Sequence, residues 1–200
     1  MVAERFTSAD CPDCWSAPLA AAAPGAAPAW QFDWITPTPN GVEAPLSAAA
    51  LGESSERAAR AGKPAPVEQQ ALNSAGRLAP PRGSGLVVSV GPAWHGYFGV
   101  QVDLSGPVPT GASLWLALVE QLPAGSDGSP QERDLVRSVA GPLPLDAMRR
   151  TGGGKRPHIA HLRAMRWPDS AQPERLQARA WLEAADGAML AVASSRCALK

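Results

Sequence analysis

Glycine and proline punctuate this chain more than any other feature of it. There are 19 glycines and 21 prolines in 200 residues. Their clusters recur at intervals of roughly ten residues, the rhythm of short strands joined by turns. Pro, Gly or charge interrupts every apolar run before it reaches membrane-spanning length. Hydrophobic residues still make up 45% of the chain, enough to build a core. Lys+Arg and Asp+Glu both number 18. A nucleic-acid binder needs a basic footprint against phosphate, and this charge balance supplies none.

The first part of the chain alternates strand and helix patterns. Val2 to Thr7 reads as a strand. A helix pattern runs from about Cys11 to Ala23, with Pro12 suited to its first turn and Pro18 expected to kink or shorten it. Trp30 to Ile35 alternates apolar and polar and reads as a second strand. A second helix is expected from Ser47 to Ala61. Ser47 would cap it, Glu53–Arg57 and Glu56–Arg60 would pair at i,i+4, and Gly62 would end it, although Gly52 sits inside it. Gln69 to Leu72 is a weaker strand candidate, and residues 80–85 read as a linker.

Beyond residue 85 the pattern becomes strand-rich. Leu86–Val90, Phe98–Leu104, Leu114–Val119, Arg133–Val139, His158–Trp167, Leu176–Leu182 and Met189–Ala193 all read as strands. Asp186-Gly187 between the last two is a two-residue hairpin signal. Six or seven short strands separated by turns suggest a β-sandwich. The expected fold is therefore α+β: an α/β unit over about 1–80, then an antiparallel β-sandwich-like unit over about 85–200.

The chemistry-bearing motif is Cys11-Pro12-Asp13-Cys14, placed after a strand and at a helix start. Unpaired N–H groups and a partial positive charge at a helix start favour a thiolate at Cys11. The thiolate is the attacking species in disulfide exchange, and Cys14, one turn along, would resolve the mixed disulfide. Asp10 and Asp13 flank the nucleophile and oppose that effect. The same spacing also suits a structural disulfide or two buried cysteines. Zinc is disfavoured, because a structural site needs four ligands and the chain has three cysteines. Copper(I) would suit the two thiols, but no methionine or histidine cluster supports it.

The stretch Val2-Ala3-Glu4-Arg5-Phe6-Thr7-Ser8-Ala9-Asp10-Cys11-Pro12-Asp13-Cys14 resembles the opening signature of the DUF1223 family of bacterial secreted proteins, within the thioredoxin-like superfamily. Phe32-Asp33-Trp34, Pro45-Leu46-Ser47 and Ser55-Glu56-Arg57 fall in family order after it. Leu114–Glu120, Asp134–Arg137 and the hairpin from Arg175 to Val192 resemble its β-rich C-terminal half. The resemblance implies a thioredoxin-like first unit with redox chemistry, a protein thiol or disulfide as partner, and a periplasmic or secreted location. It also implies a proline, expected in cis, facing the cysteines. Pro66 is the nearest candidate for that substrate-contacting role, with Pro64 its rival. The chain opens directly onto a strand, so a leader is expected to have been removed.

Other residues invite weaker readings. Trp15 would shield the disulfide or contact a partner. Trp115 reads as core, while Trp181 falls on the polar face of its strand and is expected to be exposed or to lie between the two halves. His158 and His161, three apart on a strand, point to opposite faces and would not converge on a metal. His95 sits in an expected turn facing solvent. Cys197 is an odd cysteine near the end, and Gly152-Gly153-Gly154-Lys155 lacks phosphate-loop spacing. The favoured reading is thiol–disulfide exchange by Cys11 and Cys14 with no cofactor and no metal. The competing reading is a non-enzymatic interaction module stapled by the same pair.

Overall fold

The computed structural model describes residues 1–18, 30–148 and 158–195. The readings at Cys197 and at Gly152–Lys155 fall outside these residues. The chain divides into two compact units. The first comprises Met1–Gly76 and Glu120–Arg137, and the second Arg77–Val119 and Ser138–Lys200. The sequence break near residue 80 thus has a counterpart at Gly76/Arg77, while residues 120–137 return to the first unit. The whole is mixed α+β, with ten strands and two short α-helices among the described residues.

In the first unit, β1 (Val2–Ser8) lies parallel to β2 (Trp30–Thr36), in unbroken register from Val2↔Trp30 to Ser8↔Thr36. On its other side β1 pairs antiparallel with β3 (Ala71–Gly76). The expected strand at Gln69–Leu72 is displaced toward the C-terminus accordingly. The first residues of β7 (Arg133–Pro144) run parallel to β2 at Asp33↔Leu135. The alternation of a strand sorts the side chains of β1 and β2 onto two faces. Phe6, Phe32 and Trp34 share one, with Phe6 and Phe32 stacked on Trp34 at 6.1 and 6.4 Å. The other carries Arg5, Thr7, Asp33 and Ile35.

Both expected helices are shorter than their patterns. α1 spans Pro12–Ser16. It stops at Ala17, which is extended (φ −67°, ψ 139°), because Pro18 disfavours a helical conformation in the residue before it. The Ser47–Ala61 segment is broken in two. Ser47–Ala49 forms a 3-10 turn, and Ala50 then turns extended to bridge to Ile35. Only Glu53–Arg60 forms the helix α2. Ser47 does not cap it, since its hydroxyl donates to the Val42 carbonyl. Gly52 stands at the helix start instead, and Gly62 (φ 71°) follows its end. Glu56 and Arg60 pair at 3.2 Å as the spacing predicts. Arg57 reaches Glu4 on β1, with donor–acceptor distances of 2.8 and 2.6 Å.

The second unit contains a three-stranded antiparallel sheet in the order β4 (Gly85–Val90), β5 (Tyr97–Ser105), β8 (His158–Arg166). Its other strands run β10 (Met189–Ser194), β9 (Leu176–Glu183), β6 (Ser113–Leu122), β7. One apolar cluster draws on both sets, including Phe98, Val100 and Val102 with Leu114, Leu116 and Leu182. Trp181 is fully buried and stacks on Trp115 at 5.5 Å with nearly parallel rings. Of the two alternatives expected for Trp181, this rules out exposure: both faces of β9 are covered, so alternation along it does not mark a wet side. His158 and His161 do sit on opposite faces of β8, and His158 meets Asp103 at 3.1 Å. His95 is exposed in a tight turn, where its φ is 46°.

Candidate functional site

The Cys11–Cys14 pair sits where β1 ends and α1 begins, and the two sulfurs are joined in a disulfide. The loop leading to it is pinned by backbone bonds from three directions. Ser8 N–H donates to Gln70, Ala9 N–H to Thr36, and Leu46 N–H to the Ala9 carbonyl. Asn40 donates to the Asp10 carboxylate at 3.1 Å, and Gln69 to the Asp10 carbonyl at 2.6 Å. The residues before β3 therefore come alongside the cysteine loop. This arrangement places Cys11 at the helix cap, where its sulfur accepts from the Cys14 backbone N–H at 3.1 Å.

The two cysteines differ in access. Cys11 is 2% exposed, whereas Cys14 is partly exposed. An exchange nucleophile at Cys11 calls for an open residue, and here the more exposed member of the pair is Cys14. The two residues expected to contact a substrate, Trp15 and Pro66, are both buried. Trp15 is buried, packed with Ala9, Ile35, Ala44, Leu122 and Leu135. Its indole N–H donates to the Asp127 carbonyl at 2.8 Å. It is thus a core residue that ties α1 to the 120–137 segment, not a surface for a partner. Pro66 is buried as well, and it does not follow a cis bond. Gly141–Pro142 is the cis peptide among the described residues.

Beneath α1, on the face carrying Arg5 and Asp33, lies a set of buried charges that the pattern reading did not single out. Arg133 is fully buried and uses its guanidinium in four directions. Nη1 donates to Asp33 Oδ1 at 3.1 Å and Nε to Ser129 Oγ at 3.0 Å. Nη2 donates to the carbonyls of Trp15 and Ala17 at 2.7 and 3.2 Å. These are among the carbonyls that a helix end leaves without partners. The guanidinium also stacks 4.8 Å from the centre of the Trp15 ring. The other Asp33 oxygen accepts from Gln31 and from the Asp134 backbone N–H. Burial pushes the Asp33 carboxyl above its ordinary range, and Arg133 with these hydrogen bonds opposes the rise.

Arg5 completes the set. It is 7% exposed and donates to the Cys14 carbonyl. Its Nε is buried without a hydrogen-bond partner. The signal that could have found these residues is a charge on the inner face of a strand flanked on both sides, as Arg5 is on β1 and Asp33 on β2. Comparison of the chain with family models, with curated proteins and with solved structures returns no match.

Proposed function

We propose that this protein exchanges disulfides with thiols of partner proteins through the Cys11–Cys14 pair. The observation that carries the reading is the hydrogen bond from the Cys14 N–H to the Cys11 sulfur, in a disulfide whose other member is partly exposed. A partner thiolate attacks Cys14 Sγ. The Cys11–Cys14 bond breaks, and its electron pair leaves on Cys11 Sγ, where the Cys14 N–H stabilises the new thiolate. A lower thiol pKa makes a better leaving group. A second partner thiol gives its proton to solvent and attacks the partner's sulfur in the mixed disulfide, releasing Cys14 as thiolate. The partner is oxidised by two electrons and the cysteine pair is reduced by two. The reverse sequence reduces a partner disulfide.

The strand arrangement supports a thioredoxin-like reading of the first unit. β1 and β2 are parallel, β3 runs antiparallel against β1, and the Cys-x-x-Cys lies between β1 and α1. On this reading, residues 2–14 keep their resemblance to the DUF1223 family, and the periplasmic or secreted location which that resemblance implies belongs to the proposal. No helix among the described residues is long and apolar enough to cross a membrane. The burial of Cys11 favours a second reading, in which the disulfide is a staple and the protein a non-enzymatic interaction module.

Equilibration with a glutathione redox buffer followed by thiol trapping separates the two. Exchange proteins of this kind lie between roughly −270 and −120 mV. A value in that window, with loss of exchange in Cys14→Ser, supports exchange. A pair that resists reduction to below about −300 mV is a structural disulfide, and the exchange reading then falls.

A further inference from the structure

We propose that Arg5 is a positioning residue whose buried charge holds the reduced Cys11–Cys14 pair as a thiolate and so sets its redox poise. The inference rests on the exchange reading of the same pair. Its ground is a charge imbalance under α1. Arg5 and Arg133 are both buried there, against one carboxylate, Asp33. Asp33 is engaged by Arg133 Nη1, Gln31 and the Asp134 N–H. Glu4 pairs with Arg57 on the opposite face of β1. Among the described residues no carboxylate lies within ion-pairing distance of Arg5, and its Nε has no acceptor. An arginine does not lose its proton to escape such a site, and an uncompensated buried charge is costly.

Reduction creates the missing anion beside it. Cys14 links the two groups: its carbonyl takes the Arg5 guanidinium, and its N–H is donated to the Cys11 sulfur. The disulfide is neutral and leaves the surplus charge unbalanced. The pair that has taken up two electrons and kept one proton carries one negative charge, which balances it. An opposite charge nearby favours the ionised thiol. The buried charges facing the pair are Arg5, Arg133 and Asp33, two positive against one negative; Asp10 and Asp13 are the other carboxylates near it, and they reach solvent, which screens them. Asp10 is held by Asn40, and Asp13 is exposed in the first turn of α1.

Arg5→Gln and Arg5→Lys test this in the full chain. Gln keeps a donor for the Cys14 carbonyl and removes the charge, while Lys keeps the charge. Two readouts are taken: the equilibrium with glutathione, and the ultraviolet absorbance of the thiolate against pH in the reduced protein. In Arg5→Gln the equilibrium moves about tenfold or more toward the disulfide, a potential lower by about 30 mV, and the thiolate forms at higher pH. Arg5→Lys restores both. Unchanged values in a folded Arg5→Gln overturn the proposal. If Arg5→Gln does not fold, Arg5→Lys decides it: with the charge kept, both readouts must stay at their wild-type values, and a shift of either overturns the proposal. A wild-type potential below the exchange window rejects the exchange reading, while the thiolate titration still judges Arg5 by itself.

Discussion

The Arg133 guanidinium lies 4.8 Å from the centre of the Trp15 ring and donates to the Trp15 carbonyl at 2.7 Å. One side chain from β7 thus holds both the ring and the backbone of a residue next to Cys14. Its charge is compensated by Asp33 on β2, with the side chains 0% and 1% exposed. Removing one member of a buried pair strands the other charge, at roughly 3–5 kcal/mol. Arg133→Met should lose stability on that scale in urea unfolding, because Met fills the space but leaves the Asp33 charge without its counter-ion and two carbonyls without this donor. A loss under about 1 kcal/mol, the value of an exposed pair, would show that Arg133 does not anchor α1.

Asp33 gives the chain a pH dependence whose sign follows from its shift. Its carboxyl titrates above the ordinary value in the folded protein, with burial the main cause. The folded state therefore holds that proton more tightly than the unfolded chain does. Stability from this group is greatest below the unfolded pKa, near pH 4, and declines as pH rises from there through the folded pKa. Asp33→Asn should remove that decline, flattening the midpoint temperature against pH over the acid range. A wild-type profile that instead rises with pH through this range, with the rise lost in Asp33→Asn, would reverse the sign.

Much of the strand pattern was legible. Val2–Thr7 and Trp30–Ile35 each gained one residue as β1 and β2, and Leu176–Leu182 gained one as β9. Alternation or an apolar run fixes such segments locally. The helix from Ser47 failed because a tertiary bond outweighed propensity: Leu51 N–H donates to the Ile35 carbonyl, which pulls residues 50–51 straight. Within the site, the Cys-x-x-Cys spacing exposed the disulfide, but not which cysteine is the more buried. Arg5, Asp33 and Arg133 were passed over because they stand far apart in the chain. Asp33 and Arg133 are 100 residues apart. Periodicity reports which face a residue occupies, not what waits there. Trp15 and Trp181 show the same limit, since the pattern left open whether each is covered and both are buried.

Reducing the disulfide should leave the fold standing. The bridge spans a sequence separation of only 3, and the entropy gained from closing so short a loop is about 2 kcal/mol at most. The loop before it is pinned independently by the backbone bonds to residues 36, 46 and 70. Cys11→Ser/Cys14→Ser should therefore keep the native circular dichroism spectrum, with a midpoint lower by several degrees. Collapse of the spectrum on mild reduction would show that the pair holds the first unit together, as the staple reading requires.

Gly141 in β7 supplies a steric test of aromatic packing in the second unit. Its φ is 154°, and a Cβ built there falls 2.5 Å from two atoms of the Trp115 ring. Trp115 has no room to yield, being fully buried and stacked on Trp181 at 5.5 Å. A single added methyl must therefore displace backbone or an aromatic pair, and overpacking of this kind costs roughly 1–3 kcal/mol. Gly141→Ala should be destabilised by that amount in denaturant unfolding, with altered tryptophan fluorescence as the stack opens. Gly125→Ala is the control: its φ of 81° also disfavours a side chain, but nothing lies within 4 Å of the added carbon. Backbone strain alone would lower both variants alike. A larger loss at Gly141, accompanied by the spectral change, isolates the contact with Trp115 as the cause.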